Sequence, residues 1–273
     1  MRIARYGVLS DGSDGSSRTL TGVTYGIVEG DGPGAVVTAI SGHPFAAPAR
    51  TDDRRSLHDV HLLAPFLPSK VVAIGKNYAA HAREMGGEPP DRPVVFLKPS
   101  TAVIGPNDPI QLPRDSERVD YEGELAVVIG KLCRDVRPEQ VKDVVLGYTC
   151  ANDVTARDHQ QADGQWTRGK GHDSFCPIGP WVETELDPSD LQLQTRLDGE
   201  VKQDSRTSLL IRDVAELVSY VSAFMTLLPG DVLLTGTPEG VGPMQAGSTV
   251  EVTIEGIGTL SNPVVARASA VAS

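Results

Sequence analysis

The chain has 273 residues, above the usual single-domain size of roughly 100–200, and can bury a large core without a disulfide or zinc staple. Its 25 Lys and Arg against 36 Asp and Glu leave a net charge of −11, which argues against nucleic acid or an anionic membrane as partner, because phosphate binding needs clustered cations. Aromatic residues, at 5%, are too scarce for a stacked aromatic binding platform, whereas a small anionic substrate answers only to local charge.

Residues 1–68 contain six Arg, no Lys and seven acids, so the remainder carries about −10 of the charge. Short β-type runs at 3–8, 23–28 and 35–40 alternate with Gly/Ser/Asp turns such as Asp11-Gly12-Ser13-Asp14-Gly15. This pattern predicts a small β-rich N-terminal domain over 1–68. Residues 62–69, with Pro65 and Pro68, read as the linker to a second domain over 69–273. No apolar segment follows residues 1–5, and no window approaches ~18 uninterrupted apolar residues, so neither a signal peptide nor a membrane span is expected. Cys133, Cys150 and Cys176 are far apart, odd in number and form no CxxC pair. They predict no disulfide framework or thiolate zinc site, and point to a reducing cytoplasm.

From Lys70 onward strands multiply, at 71–74, 94–97, 102–104, 119–129, 144–151, 231–235 and 250–254. A short helix fits Asn77, as N-cap, through Met85, closed by Gly86-Gly87. The clearest helix is 213–228, with Val214, Leu217, Val218, Val221, Met225 and Leu228 on one stripe. Asp213 and Glu216 form its capping arrangement, and Pro229-Gly230 stops it. Strands outnumber helices, so the fold class is mixed α+β and β-dominated.

The strongest chemical signal is Asp120-Tyr121-Glu122-Gly123-Glu124, leading into an apolar strand. Side chains alternate along a strand, so Asp120, Glu122 and Glu124 share a face, where like charges repel. A divalent cation with hard oxygen ligands, Mg²⁺, Ca²⁺ or Mn²⁺, is the simplest compensation; an exposed acidic face is the alternative. Asp153, at the end of the 144–151 strand, offers a third oxygen donor, or a plain helix cap. His81 and Glu84, at i, i+3 on the short helix, pair an imidazole with a carboxylate, either as a general base or as a surface ion pair. Gly75 and Gly86-Gly87 bracket that helix as they would a mobile lid over about 77–90. Lys170, between glycines, suits an anionic substrate group, and Lys98 closes an apolar strand. The loop 235–242 lacks the Gly-Lys-Ser/Thr of a phosphate loop but offers backbone N–H groups and Thr237 to a carboxylate.

Taken in order, six segments resemble the fumarylacetoacetate hydrolase family. They are Gly75-Lys76-Asn77-Tyr78-Ala79-Ala80-His81 with Glu84, Phe96-Leu97-Lys98-Pro99-Ser100, Asp120-Tyr121-Glu122-Gly123-Glu124-Leu125, Asn152-Asp153-Val154-Thr155-Ala156-Arg157-Asp158, the run from Lys170 to Gly179, and the run from Leu234 to Gly242. The resemblance covers Lys70 to the C-terminus. It implies a β-roll catalytic domain, a homodimer, and one Mg²⁺ or Mn²⁺ held by Glu122, Glu124 and Asp153. It also implies a lid dyad of His81 and Glu84 with Lys170 completing the catalytic set. Substrate contacts are expected from Lys98, Arg157, Gln160, Lys170 and Thr237. His172 stands where the family commonly has another residue, an expected change in pocket polarity, and Asp120 is left with a supporting role.

The resemblance further implies an enzyme that stabilises the enolate of a 2-oxo dicarboxylic acid. The expected reactions are isomerisation, as of 2-hydroxyhepta-2,4-diene-1,7-dioate, or decarboxylation, as of oxaloacetate or 5-carboxymethyl-2-oxo-hex-3-ene-1,7-dioate, in aromatic-acid catabolism. The alternative enzyme is a C–C hydrolase of acylpyruvates or fumarylacetoacetate. A metal-stabilised binding protein is a third possibility, opposed by the presence of His81, Glu84 and Lys170 together.

Overall fold

The apolar run of strand Gly123–Ile129 sets the centre of the fold, because all seven of its residues are buried. Leu125, Val127 and Ile129 pack into one core, while Ala126 and Val128 pack into a second on the opposite face. A strand covered on both sides reads as a continuous apolar run instead of an alternating one. In the computed structural model, residues 1–11, 18–46 and 48–267 are described, and the predicted turn at Asp11-Gly12-Ser13-Asp14-Gly15 lies, beyond Asp11, outside them.

The main sheet has twelve strands. Ten run in spatial order Ala49–Ser56, Val36–Ser41, Arg18–Glu29, Arg2–Asp11, Cys176–Glu183, Val145–Asn152, Gly123–Ile129, Val232–Leu234, Val71–Gly75 and Val94–Lys98. Val60–Leu63 pairs with Arg2–Asp11, and Val103–Ile104 pairs with Cys176–Glu183. A five-stranded sheet, Glu200–Arg206, Gln192–Leu197, Thr249–Ile254, Gly258–Ala266 and Ile110–Leu112, supplies Leu193, Val252, Ile254 and Leu260 to the first core. A three-stranded sheet joins Thr155–Ala156, Val119–Tyr121 and Gly242–Pro243. The helices are α1 (Ala79–Glu84), α2 (Arg157–Asp163), α3 (Thr167–Lys170) and α4 (Val214–Ser222). Among the described residues no helix is long and apolar enough to cross a membrane.

Helix α4 keeps its predicted start, with Asp213 accepting from the Glu216 amide and Glu216 reaching back to the Asp213 amide. Burial of Val214, Leu217, Val218 and Val221, at about 1.5–3 kcal/mol each, holds a helix too short to stand alone. The helix ends at Ser222, not at 228, because Leu227 and Cys133 exchange two backbone hydrogen bonds that draw the chain out of helical geometry. Leu228 is consequently exposed.

Three further expectations need correcting. The predicted linker 62–69 begins inside strand Val60–Leu63, and Phe66 is buried in a stack with Tyr25 and Phe45, so part of its apolar content is core, while Leu67 is exposed. The predicted strand 119–129 is interrupted at Glu122, where the chain passes from the three-stranded sheet into the main sheet. Residues 102–104 divide between the end of a 3-10 turn, Ser100–Ala102, and a two-residue strand.

Gly123 lies close against the five-stranded sheet. A methyl group there would lie 2.1 Å from Thr195 Oγ1 and 3.3 Å from both Gln203 Oε1 and Val252. Gly123→Ala is therefore expected to destabilise the protein by about 1–3 kcal/mol through overpacking and to shift Glu122 and Glu124 with the strand. Urea unfolding of the variant checks this, and a midpoint equal to that of the parent chain would contradict it.

Candidate metal centre and active site

The carboxylates of the site come from the ends of two neighbouring strands. The Asp153 amide donates to the Glu122 carbonyl (2.8 Å), and the Glu122 amide donates to the Asn152 side chain (2.9 Å), where a backbone carbonyl would ordinarily accept. This junction sets Glu122 and Asp153 side by side, and strand alternation returns Glu124 to the same face. Ligand oxygens of Glu122, Glu124 and Asp153, all buried, lie within 4.8 Å of one another.

Two of the three acids are covered by cations. Lys170 Nζ donates to Glu122 Oε2 (2.7 Å) and Asp153 Oδ2 (2.6 Å), and sits over the Phe96 ring. Arg157 donates to Glu122 Oε1 (2.6 Å), to Asp120 (2.9 Å) and to Gln160 (2.7 Å). Lys98 pairs with Asp153 Oδ1 and donates to the Val154 carbonyl. Burial alone would raise the Glu122 carboxyl, but Lys170 and Arg157 outweigh it and hold the group below the usual carboxylate range. Burial likewise opposes the Lys170 ammonium, yet Asp153 and Glu122 keep it charged and raise its pKa.

Glu124 differs. Among the described residues its one donor is the Gly236 amide (2.6 Å), and it has no ion pair. Burial, then repulsion from Asp153 and Glu122, pushes its carboxyl well above the usual range. A buried carboxyl without a cation, facing two further carboxylates, is a group that a divalent cation would hold in its ionised form. Three hard oxygen donors fit Mg²⁺ or Mn²⁺ in kind.

Helix α1 brings the dyad over this cluster. His81 is buried, with Nδ1 3.1 Å from Glu84 Oε2, and Glu84 Oε1 accepts from the Gly240 amide (3.0 Å). The N-cap is Tyr78, not Asn77. The Asn77 side chain instead donates to the Arg212 and Thr235 carbonyls and accepts from the Arg212 amide, so tertiary partners took the residue that local pattern assigned to capping. Gly75 is a packing position, since a methyl there would lie 2.6 Å from the Trp166 ring.

Glu122, Glu124, Asp153, His81, Arg157, Gln160, Lys170 and Thr237 all line one cavity of about 210 Å³. Of the other predicted site residues, Lys98 lies behind Asp153 outside the lining, and Glu84 reaches the site through His81 and lines an adjoining cavity. Asp120 is buried between Arg118 and Arg157. His172 does not line the cavity; its Nε2 lies 3.2 Å from His159 Nδ1.

Sequence reasoning missed Gln203. This buried residue accepts from the Gly123 amide (2.9 Å) and donates to Thr237 Oγ1 (2.8 Å) and the Pro238 carbonyl (2.8 Å). Thr237 in turn donates to the Gly123 carbonyl (2.9 Å). Two side chains thus serve both polar groups of Gly123, and fasten the acidic strand to the loop whose Gly236 holds Glu124.

The chain belongs to the fumarylacetoacetate (FAA) hydrolase C-terminal family, which it matches over residues 70–265; residues 1–65 match the Rv2993c-like N-terminal family. The mixed, β-dominated fold is thus that of this family, with an N-terminal domain. Among individual proteins, the chain is 56% identical to a 5-carboxymethyl-2-hydroxymuconate delta-isomerase from Mycobacterium smegmatis, whose crystal structure superposes with a TM-score of 0.88 over 98% of this chain and 100% of that one. It is 42% identical over 223 residues to the mitochondrial oxaloacetate tautomerase fahd2 of Xenopus laevis, covering 77% of this chain and 70% of the relative. It also resembles a fumarylpyruvate hydrolase from Pseudomonas aeruginosa solved with Mn²⁺ and pyruvate, at 39% identity and a TM-score of 0.70 over 74% of this chain and 91% of that one.

Proposed function

We propose that this protein is an Mg²⁺- or Mn²⁺-dependent isomerase or tautomerase of a 2-oxo dicarboxylic acid. The observation that carries this reading is the meeting of the Glu122, Glu124 and Asp153 triad with His81 in one small cavity. When bound, the divalent cation supplies Lewis-acid stabilisation for charge developing on the 2-oxo oxygen of the substrate.

The residues of the chain supply the rest. Glu84, as a carboxylate, only accepts, so His81 Nδ1 carries the proton facing it and Nε2 is left to take a proton from substrate and return it. One base that takes and returns a proton is sufficient for enol–keto or double-bond isomerisation. The Lys170 ammonium adds positive charge beside the carboxylates, in a buried setting where such charge acts strongly. Arg157, with all three nitrogens committed, holds Glu122 and Gln160 in place.

Incubation of the Mg²⁺-loaded protein with enol oxaloacetate, a 2-hydroxydienoate and acetylpyruvate tests the reading. Isomerisation of either of the first two supports it, including any later loss of carbon dioxide from oxaloacetate. Cleavage of acetylpyruvate with no isomerisation would replace it with the hydrolase alternative. The same reading includes a homodimer in a reducing cytoplasm, with residues 1–68 and 69–273 as its two domains. Light scattering that gives a monomer mass at micromolar concentration would contradict the dimer.

A further inference from the structure

Among the described residues, every Lys and Arg lining the cavity is paired with an acid except one. Arg157 is held by Asp120 and Glu122 and Lys170 by Glu122 and Asp153, while the neutral His81 ring faces Glu84. Lys76 lines the same cavity and has no carboxylate within 4 Å among the described residues. Its backbone is in the left-handed region, at φ 57, which an L-residue other than Gly adopts at a steric cost. Local sequence does not require Lys there, since Gly would fit that conformation without strain. Strained backbone of this kind concentrates where a side chain must be aimed at a ligand. The neighbours fix the aim: Gly75 is packed under Trp166, and Asn77 is held by three hydrogen bonds. The side chain extends to the return of the lid, where a methyl built at Gly87 would lie 3.4 Å from Nζ.

We infer that Lys76 is the specificity-determining residue that receives the distal carboxylate of the substrate, the one remote from the 2-oxo group. This rests on the proposed function for the substrate class, and adds the residue that distinguishes a diacid from a monoacid. Among the described residues, the acidic triad and its committed cations leave no other lining group able to neutralise a second carboxylate. A lone ammonium in a half-buried wall gains a partner only when that carboxylate arrives. At about 210 Å³ the cavity lies below the ~300–1,000 Å³ of drug-sized pockets and suits a short diacid. The rival receptor is Arg118, whose Nε is held by Asp120 and which lines the adjoining cavity shared with Arg157 and Gln161.

Calorimetric binding of 2-oxoglutarate and 2-oxobutyrate to the Mn²⁺-loaded protein tests the assignment without depending on turnover. Lys76→Met is expected to weaken 2-oxoglutarate by about 10- to 100-fold, the share of one charge-assisted hydrogen bond, and to leave 2-oxobutyrate and Mn²⁺ affinity within about twofold. Lys76→Arg should restore most of the preference, which a merely structural role would not require. Equal weakening of both acids, or of neither, would overturn the assignment. So would loss of the preference in Arg118→Met with its retention in Lys76→Met. A parent protein that binds both acids equally would instead remove the dicarboxylic substrate class, and the role of Lys76 with it.

Discussion

Glu124→Gln is expected to abolish Mn²⁺ uptake and reduce turnover by at least about 10³-fold, yet to raise the melting temperature of the metal-free protein. Glu124 is the acid of the triad without a cation partner, and its negative charge is opposed by burial and by Asp153 and Glu122. Neutralising it removes that opposition, at about 2–4 °C for each kcal/mol regained in a protein near this size. Asp153→Asn should also lose the metal, but with the opposite effect on stability. It leaves Lys98 and Lys170 with weakened partners, and breaking buried ion pairs costs about 3–5 kcal/mol. Scanning calorimetry of the two metal-free variants separates these outcomes, and similar destabilisation in both would refute the charge assignment. The pH dependence has a matching sign. With its folded pKa raised, Glu124 favours the metal-free fold fully below the ordinary carboxylate range, and that contribution is lost as pH rises through the raised value. Metal loading should reverse the trend, because it holds the carboxylate ionised.

Turnover in His81→Ala should fall by about 10²–10⁴-fold, the usual share of general acid–base catalysis, with Mn²⁺ affinity intact. The imidazole lines the cavity but is absent from the acidic cluster, so the two functions separate. Glu84→Gln should show a smaller loss of the same kind, since an amide oxygen can still accept from the ring and hold it in place. Steady-state kinetics with parallel Mn²⁺ titration reads both. Full activity in His81→Ala would remove the dyad from the mechanism.

The parts of the site that were legible in the sequence are those whose cause is local. Glu122 and Glu124 follow from strand alternation, and His81 and Glu84 from helical spacing. Asp153 stood out because it ends an apolar strand. Gln203 left no such mark: its partners are Gly123 and Thr237, 80 and 34 residues away, and only the meeting of two sheets brings them together. Asn77 misled for the same reason, as its amide found Arg212 and Thr235 instead of the helix it precedes. Several strands were missed where their residues contradict strand pattern. Cys176–Glu183 contains Pro177 and Pro180, and Gln192–Leu197 with Glu200–Arg206 carries polar side chains such as Gln192, Gln194 and Asp204 that bond to one another across the ladder.

The acidic strand and α1 differ in how firmly they are held. Gly123–Ile129 has a core on each face and paired neighbours on both edges. Helix α1 buries His81 and Ala82 within its six residues, and Glu84 with the Gly240 amide is its side-chain tie to the loop beside the site. Segments with few buried contacts open at lower free energy than sheet interiors. Warming should thus disable the protein in two stages. Proton transfer should fade first, at a temperature where the metal is still gripped and the sheet still ordered, so the upper thermal limit of catalysis would be set by a six-residue helix and not by the core.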